Sequence, residues 1–100
     1  MQRKLYLTKL RPERRDEYIQ AHRNVSGDLM RGYREAGISL CAVYILGDQV
    51  ALLVEAGDHA QAAAILARDP MDLEWQSYVA PMKADGGWQE MQELFHSDGC

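Results

Sequence analysis

Residues 39–46 (SLCAVYIL), the dipeptide Gly47-Asp48 and residues 49–55 (QVALLVE) decide how this chain folds. Two apolar runs around a two-residue glycine turn predict a β-hairpin. A strand pair with one wet face alternates polar and apolar residues. These strands do not. Leu40, Ala42, Tyr44 and Leu46 project one way, and Cys41, Val43 and Ile45 the other. Val50, Leu52 and Val54 likewise oppose Ala51 and Leu53. Both faces of the sheet are therefore expected to be buried.

Outward from the hairpin, strands and helices alternate. Residues 3–10 (RKLYLTKL) predict a strand. Pro12 suits a first helical position, with Glu13 near the positive helix end. Tyr18, His22, Val25, Leu29, Tyr33 and Ala36 then recur at steps of four and three, which predicts one long helix. Gly37 is a natural stop in the left-handed conformation. Asp58 with Gln61 resembles a capping box that opens a short helix, HAQAAAILA. Asp69 as N-cap and Pro70 in the first turn open another, with Trp75, Tyr78, Val79 and Met82 on one face and Pro81 near its end. Gly86-Gly87 predicts a turn and residues 88–96 a last strand. No repeat, low-complexity tract or linker interrupts the chain, so residues 1–100 read as a single domain.

The order β-α-β-β-α-β is the split βαβ pattern of an α+β, ferredoxin-like sandwich. Right-handed crossovers put both helical layers on one face of the sheet. One chain then has no helices for the other apolar face. A homodimer packed sheet against sheet, forming a dimeric α/β barrel, is the expected solution.

Size and charge narrow the function. One hundred residues, 47% hydrophobic and 26% charged, make an ordinary globular chain with one modest core. There is no room for a cofactor domain beside a substrate domain. A net charge of −4 argues against nucleic acid, which demands a basic face. Arg11, Arg14 and Arg15 are interrupted by Glu13, Asp16 and Glu17 and read as a solvated helix face. No apolar run approaches a membrane span, and the N-terminus lacks the apolar stretch of a signal peptide. Cys41 and Cys100 make no CxxC or metal spacing, so a reduced, cytoplasmic setting is the default. His22, His59 and His96 form no HxH or HExxH, and no metal site is expected. His59, beside Asp58 in a first helical turn, reads as a surface residue. GxGxxG, P-loop and GxSxG motifs are absent from the sequence.

Tyr18 and His22 stand at i and i+4 on one helix face, with Val25 and Leu29. A histidine on such a stripe is either a satisfied core residue or a titratable group at a pocket wall. Tyr44, Trp75, Tyr78 and Trp88 are equally open: helical aromatics usually fill cores, but aromatic faces beside polar tips also stack on sugar rings.

Several segments together resemble the L-rhamnose mutarotase family. They are Glu17-Tyr18-Ile19-Gln20-Ala21-His22, Glu35-Ala36-Gly37-Ile38, Val43-Tyr44-Ile45-Leu46, Leu66-Ala67, Asp69-Pro70, Trp75-Gln76 and the ending Glu93-Leu94-Phe95-His96-Ser97-Asp98. The resemblance runs in order over nearly the whole chain. It implies a small ferredoxin-like dimer, an isomerase that interconverts the α and β anomers of L-rhamnose, with L-fucose the substrate of some relatives. It places the family's acid/base histidine on His22 and its sugar-binding tyrosine on Tyr18. Cys41 stands where the family usually has tyrosine, and Trp75-Gln76 where well-known members have two tryptophans. Ser26-Gly27 replaces the usual Trp-Pro. The implied reaction opens a pyranose and recloses it, and requires no cofactor or metal. A histidine, with an unperturbed pKa of about 6.5, can give and take the protons involved. A dimeric domain that binds a monosaccharide without turnover is a second reading. A cofactor-independent monooxygenase of the same architecture is a third.

Overall fold

The computed structural model describes residues 2–84 and 87–97. Strand β1 (Gln2–Lys9) is followed by a single 3-10 turn (Pro12–Arg14) and two helices, α1 (Arg15–Arg23) and α2 (Gly27–Glu35). The hairpin β2 (Ile38–Leu46) and β3 (Gln49–Ala56) comes next. Helices α3 (His59–Leu66) and α4 (Pro70–Val79), a 3-10 turn (Ala80–Met82) and strand β4 (Gln89–Met91) complete the order. The antiparallel sheet runs β2-β3-β1-β4, the strand order of the ferredoxin-like fold.

Gly47 has φ +59 and is the only residue of the hairpin turn with positive φ, as a type II′ turn requires. The turn pairs Leu46 with Gln49 and so sets the register of both ladders. One face then carries Ile45, Val50 and Thr8 in one row, and Val43, Leu52 and Tyr6 in the next. The helices cover this side. Val50 and Thr8 are buried there, and Leu10, Tyr18, Val50, Val79 and Met82 form the core, with Trp75 and Trp88 packed against it. The other face carries Leu5, Leu53, Ala42 and Met91, then Leu7, Ala51 and Tyr44. Among the described residues no element lies over its outer rows. Tyr44 is 60% exposed and Leu46 81% exposed.

The single long helix expected from the Tyr18-to-Ala36 stripe is two helices. Asn24 leaves helical geometry (φ −131, ψ 47), and Ser26 restarts the helix as an N-cap, its Oγ accepting from the Leu29 N–H at 3.1 Å. A residue that caps well, followed by glycine, makes restarting cheaper than continuing. The apolar period survives because both helices face the sheet. Gly37, with φ +92, ends the second as expected.

The last strand is also shorter than expected. Residues 88–96 contribute only Gln89–Met91 to the ladder, opposite Leu5, Tyr6 and Leu7. Trp88 turns into the core side, and residues 92–97 lie exposed beside the sheet edge. There Arg3 contacts Glu93 (3.6 Å) and the His96 ring. Alternation cannot hold a strand whose residues have neither a second ladder nor a covered face. Gly86 of the expected turn, and Asp98 and Cys100, lie outside the described residues.

Asp58 caps α3 by accepting from the Gln61 N–H at 3.0 Å, and Asp69 caps α4 by accepting from Met71 at 3.0 Å. The second cap is pressed against Gly32 of α2: a Cβ there would land on Asp69 Oδ2. Alanine ordinarily favours a helix over glycine by roughly 1 kcal/mol. Here Gly32→Ala is expected to lower the melting temperature instead. The clash displaces a cap whose loss typically costs about 1 kcal/mol, and it separates α2 from α4. A rise in the thermal midpoint would mean that the carboxylate swings free at no cost.

Candidate active site

Between the helices and the covered sheet face lies a cavity of about 390 Å³. That is the size range of small-molecule sites. Tyr18 and His22 come to it from α1, Tyr33 from α2, Cys41 and Val43 from β2, Leu52 from β3, and Trp75 and Gln76 from α4. Lys83 and Trp88 close one side. The five residues singled out in the sequence, Tyr18, His22, Cys41, Trp75 and Gln76, thus line one cavity. A larger depression of about 580 Å³ lies on the open sheet face, but its charges are paired off, Arg3 with Glu93 (3.6 Å) and Lys4 with Glu90 (3.5 Å).

One helical turn separates Tyr18 from His22, and their ring centroids are 4.4 Å apart. The Trp75 ring meets His22 nearly edge-on, at 5.1 Å and 82°. His22 Nδ1 lies 2.8 Å from the Tyr18 carbonyl oxygen. A carbonyl only accepts, so the ring hydrogen of the neutral imidazole sits on Nδ1. Nε2 then keeps its lone pair. The fold has fixed both the tautomer and the direction of this ring.

Burial, with Cys41 nearby as a lesser cause, pushes the Tyr18 phenol up to about 12. It is a neutral hydrogen-bonding group at physiological pH. Burial also raises the Cys41 thiol, which is therefore no thiolate nucleophile. Tyr33 donates to Asp72 Oδ1 at 2.8 Å, and Gln76 Nε2 donates to the same oxygen at 3.3 Å. Burial, and then the bond to Asp72, hold the Tyr33 phenol above its usual range. One buried carboxylate thus orients two side chains of the cavity wall. On the far side Lys83 Nζ stands 4.4 Å from the Trp88 ring centroid, a cation–π arrangement. Burial pushes this ammonium below its usual range.

Tyr33 belongs to the helical stripe and Trp88 to the aromatic set, but neither is a site residue on the sequence alone. Asp72 and Gln76 do have the spacing of one helix face. Lys83 carries no local signal, because only the returning chain brings Trp88 to it. Among the described residues no group of three or more His, Cys, Asp or Glu side chains could hold a metal ion. No described helix is long and apolar enough to cross a membrane.

A family model described as L-rhamnose mutarotase matches residues 3–97. The chain belongs to the L-rhamnose mutarotase family. Members are isomerases, and so is this chain. An L-rhamnose mutarotase from Formosa agariphila superimposes with a TM-score of 0.79 at 14% identity, covering 98% of this chain and 100% of that one. A putative antibiotic biosynthesis monooxygenase from Nitrosomonas europaea gives 0.68 at 15% identity, over 93% and 89% of the two chains. Tetracenomycin F2 cyclase from Streptomyces glaucescens gives 0.64 at 21%, over 97% and 96%. At such identities the likeness is one of fold, and unrelated chemistries share it. No curated protein matches the chain in direct sequence comparison. The placement in the mutarotase family therefore rests on the family match.

Proposed function

We propose that this mutarotase-family protein interconverts the α and β pyranose anomers of a 6-deoxy sugar, with L-rhamnose the first candidate, and that His22 is its acid/base residue. The observation that carries the reading is the His22 Nδ1 bond to the Tyr18 carbonyl, which leaves Nε2 free in a cavity of monosaccharide size. Nε2 takes the proton from the anomeric hydroxyl, and C1–O1 becomes a carbonyl. The C1–O5 bond breaks with its electron pair going to the ring oxygen, which takes up a proton. Rotation about C1–C2 presents the other carbonyl face, and the same steps in reverse close the ring. Tyr18 and Gln76 hold sugar hydroxyls, and Trp75 forms an apolar wall. Cys41 leaves space there that a phenol would fill.

The working unit is a homodimer that covers the open sheet face. Leu94 (91% exposed) and Phe95 (80% exposed) support this reading together with Tyr44 and Leu46, since one chain leaves all four in water.

Saturation-transfer NMR between the anomers of L-rhamnose, repeated with L-fucose, tests the function. Micromolar protein is expected to accelerate exchange well beyond the spontaneous rate for at least one of them. If both exchange only at the spontaneous rate while one binds, the protein is a sugar-binding module and the catalytic reading is lost.

A further inference from the structure

The proton-transfer scheme above needs a second group, one that protonates the ring oxygen while His22 deprotonates the anomeric hydroxyl. We propose that Lys83 is that group. The inference rests on the mutarotase reading and deepens it.

Lys83 shares the cavity wall with His22 and is only 8% exposed. No carboxylate among the described residues pairs with it. A buried ammonium without a counter-ion is costly, and such groups cluster at functional sites. The backbone around it is held from two sides. Lys83 bridges to Leu10, Arg11 N–H donates to the Met82 carbonyl at 2.9 Å, and Ala84 N–H to the Lys9 carbonyl at 2.7 Å. The Trp88 ring covers the ammonium at 4.4 Å without neutralising it. The fold thus holds in the cavity wall a largely buried cation that no carboxylate among the described residues neutralises.

The other groups on the wall suit the task less well. The Tyr33 hydrogen is committed to Asp72 at 2.8 Å. Tyr18 gives up its proton only near 12. The Cys41 S–H is a weak donor, and burial raises it further. Burial moves Lys83 in the useful direction, toward the pH at which a general acid is most effective.

The step balances. As the O1–H bond breaks, its proton goes to His22 Nε2. As C1–O5 breaks, its electron pair goes to O5, which takes a proton from Lys83 Nζ. The open aldehyde stands between an imidazolium and an amine. On closure O5–H returns its proton to Lys83, O5 attacks the opposite face of C1, and His22 protonates O1. The enzyme ends as it began.

Lys83→Met and Lys83→Arg, assayed by saturation transfer on L-rhamnose beside the wild type, test the assignment. Both are expected to lower kcat by roughly 10²-fold with little change in KM, because methionine has no proton to give and a guanidinium does not release one. Lys83→Met is also expected to melt at or above the wild-type temperature, since it removes a largely buried charge that no described carboxylate neutralises. A kcat loss accompanied by a lower melting temperature overturns the proposal in favour of a structural lysine. Wild-type kcat in Lys83→Met overturns it, and so does recovery in Lys83→Arg, which would mean that only the charge matters. A changed KM at constant kcat overturns it in favour of a binding contact. The second readout is the ¹⁵N titration of the Lys83 ammonium, resolved against the other titratable wall groups Tyr18, His22, Tyr33 and Cys41. L-rhamnose is expected to displace that titration, and an unchanged one overturns the contact. An inactive wild type sinks the mutarotase reading and the lysine together, whereas an active wild type with an active Lys83→Met sinks the lysine alone.

Discussion

His22→Ala is expected to cut protein-accelerated anomer exchange by roughly 10²–10⁴-fold, the usual contribution of one positioned acid/base group. The imidazole has a single free nitrogen, because the other is tied to the Tyr18 carbonyl at 2.8 Å. No other wall residue reproduces that geometry. The fold should survive the change. His22 is half-buried, and removing it loses the ring contacts with Tyr18 and Trp75, worth about 0.5–1.5 kcal/mol each at most. Far-UV circular dichroism and a thermal melt separate a lost proton carrier from a lost fold. Exchange at the wild-type rate in His22→Ala would leave the family assignment standing and remove the histidine from the mechanism.

Leu53→Asp is expected to turn the proposed homodimer into a folded monomer. Leu53 lies near the middle of the open sheet face, opposite Leu5 on one side and Ala42 on the other. In one chain the new carboxylate reaches water. In a sheet-to-sheet dimer it is buried, once from each protomer, without a cation in either central row. The effective penalty is several kcal/mol per ion, enough to dissociate a micromolar dimer. Sedimentation equilibrium should give twice 11.3 kDa for the wild type and 11.3 kDa for the variant. A wild-type monomer at micromolar concentration sinks the dimer. A variant that stays dimeric moves the interface off this face.

The parts of the fold legible in sequence are those set by neighbours along the chain. The glycine turn and its flanking apolar runs define the hairpin, since a two-residue loop leaves the strands one register. Asp58 and Asp69 mark helix starts because a cap is formed within three residues of itself. The break at Asn24–Ser26 was masked by a stripe that both helices share. The end of β4 at Met91 depends on what lies across the sheet, which no local pattern reports.

The site divides in the same way. Tyr18 and His22 stand one turn apart on one helix, so their proximity follows from spacing alone. Cys41 and Gln76 are indicated only by the family resemblance, whereas Trp75 also belongs to the aromatic set of the sequence. The Tyr33–Asp72 bond joins residues 39 apart in sequence, and the Lys83–Trp88 contact depends on how the chain re-enters the sheet.

By itself, then, the sequence determined the antiparallel hairpin, apolar on both faces, and the histidine one turn beyond a tyrosine. Only the tertiary structure decided which side chains share a cavity, which hydrogens are already spent, and that a largely buried ammonium stands in the same wall. Spacing along one element fixes relative direction, because backbone geometry is regular. Distance between elements is fixed by how their side chains pack, and that is a property of the whole chain at once.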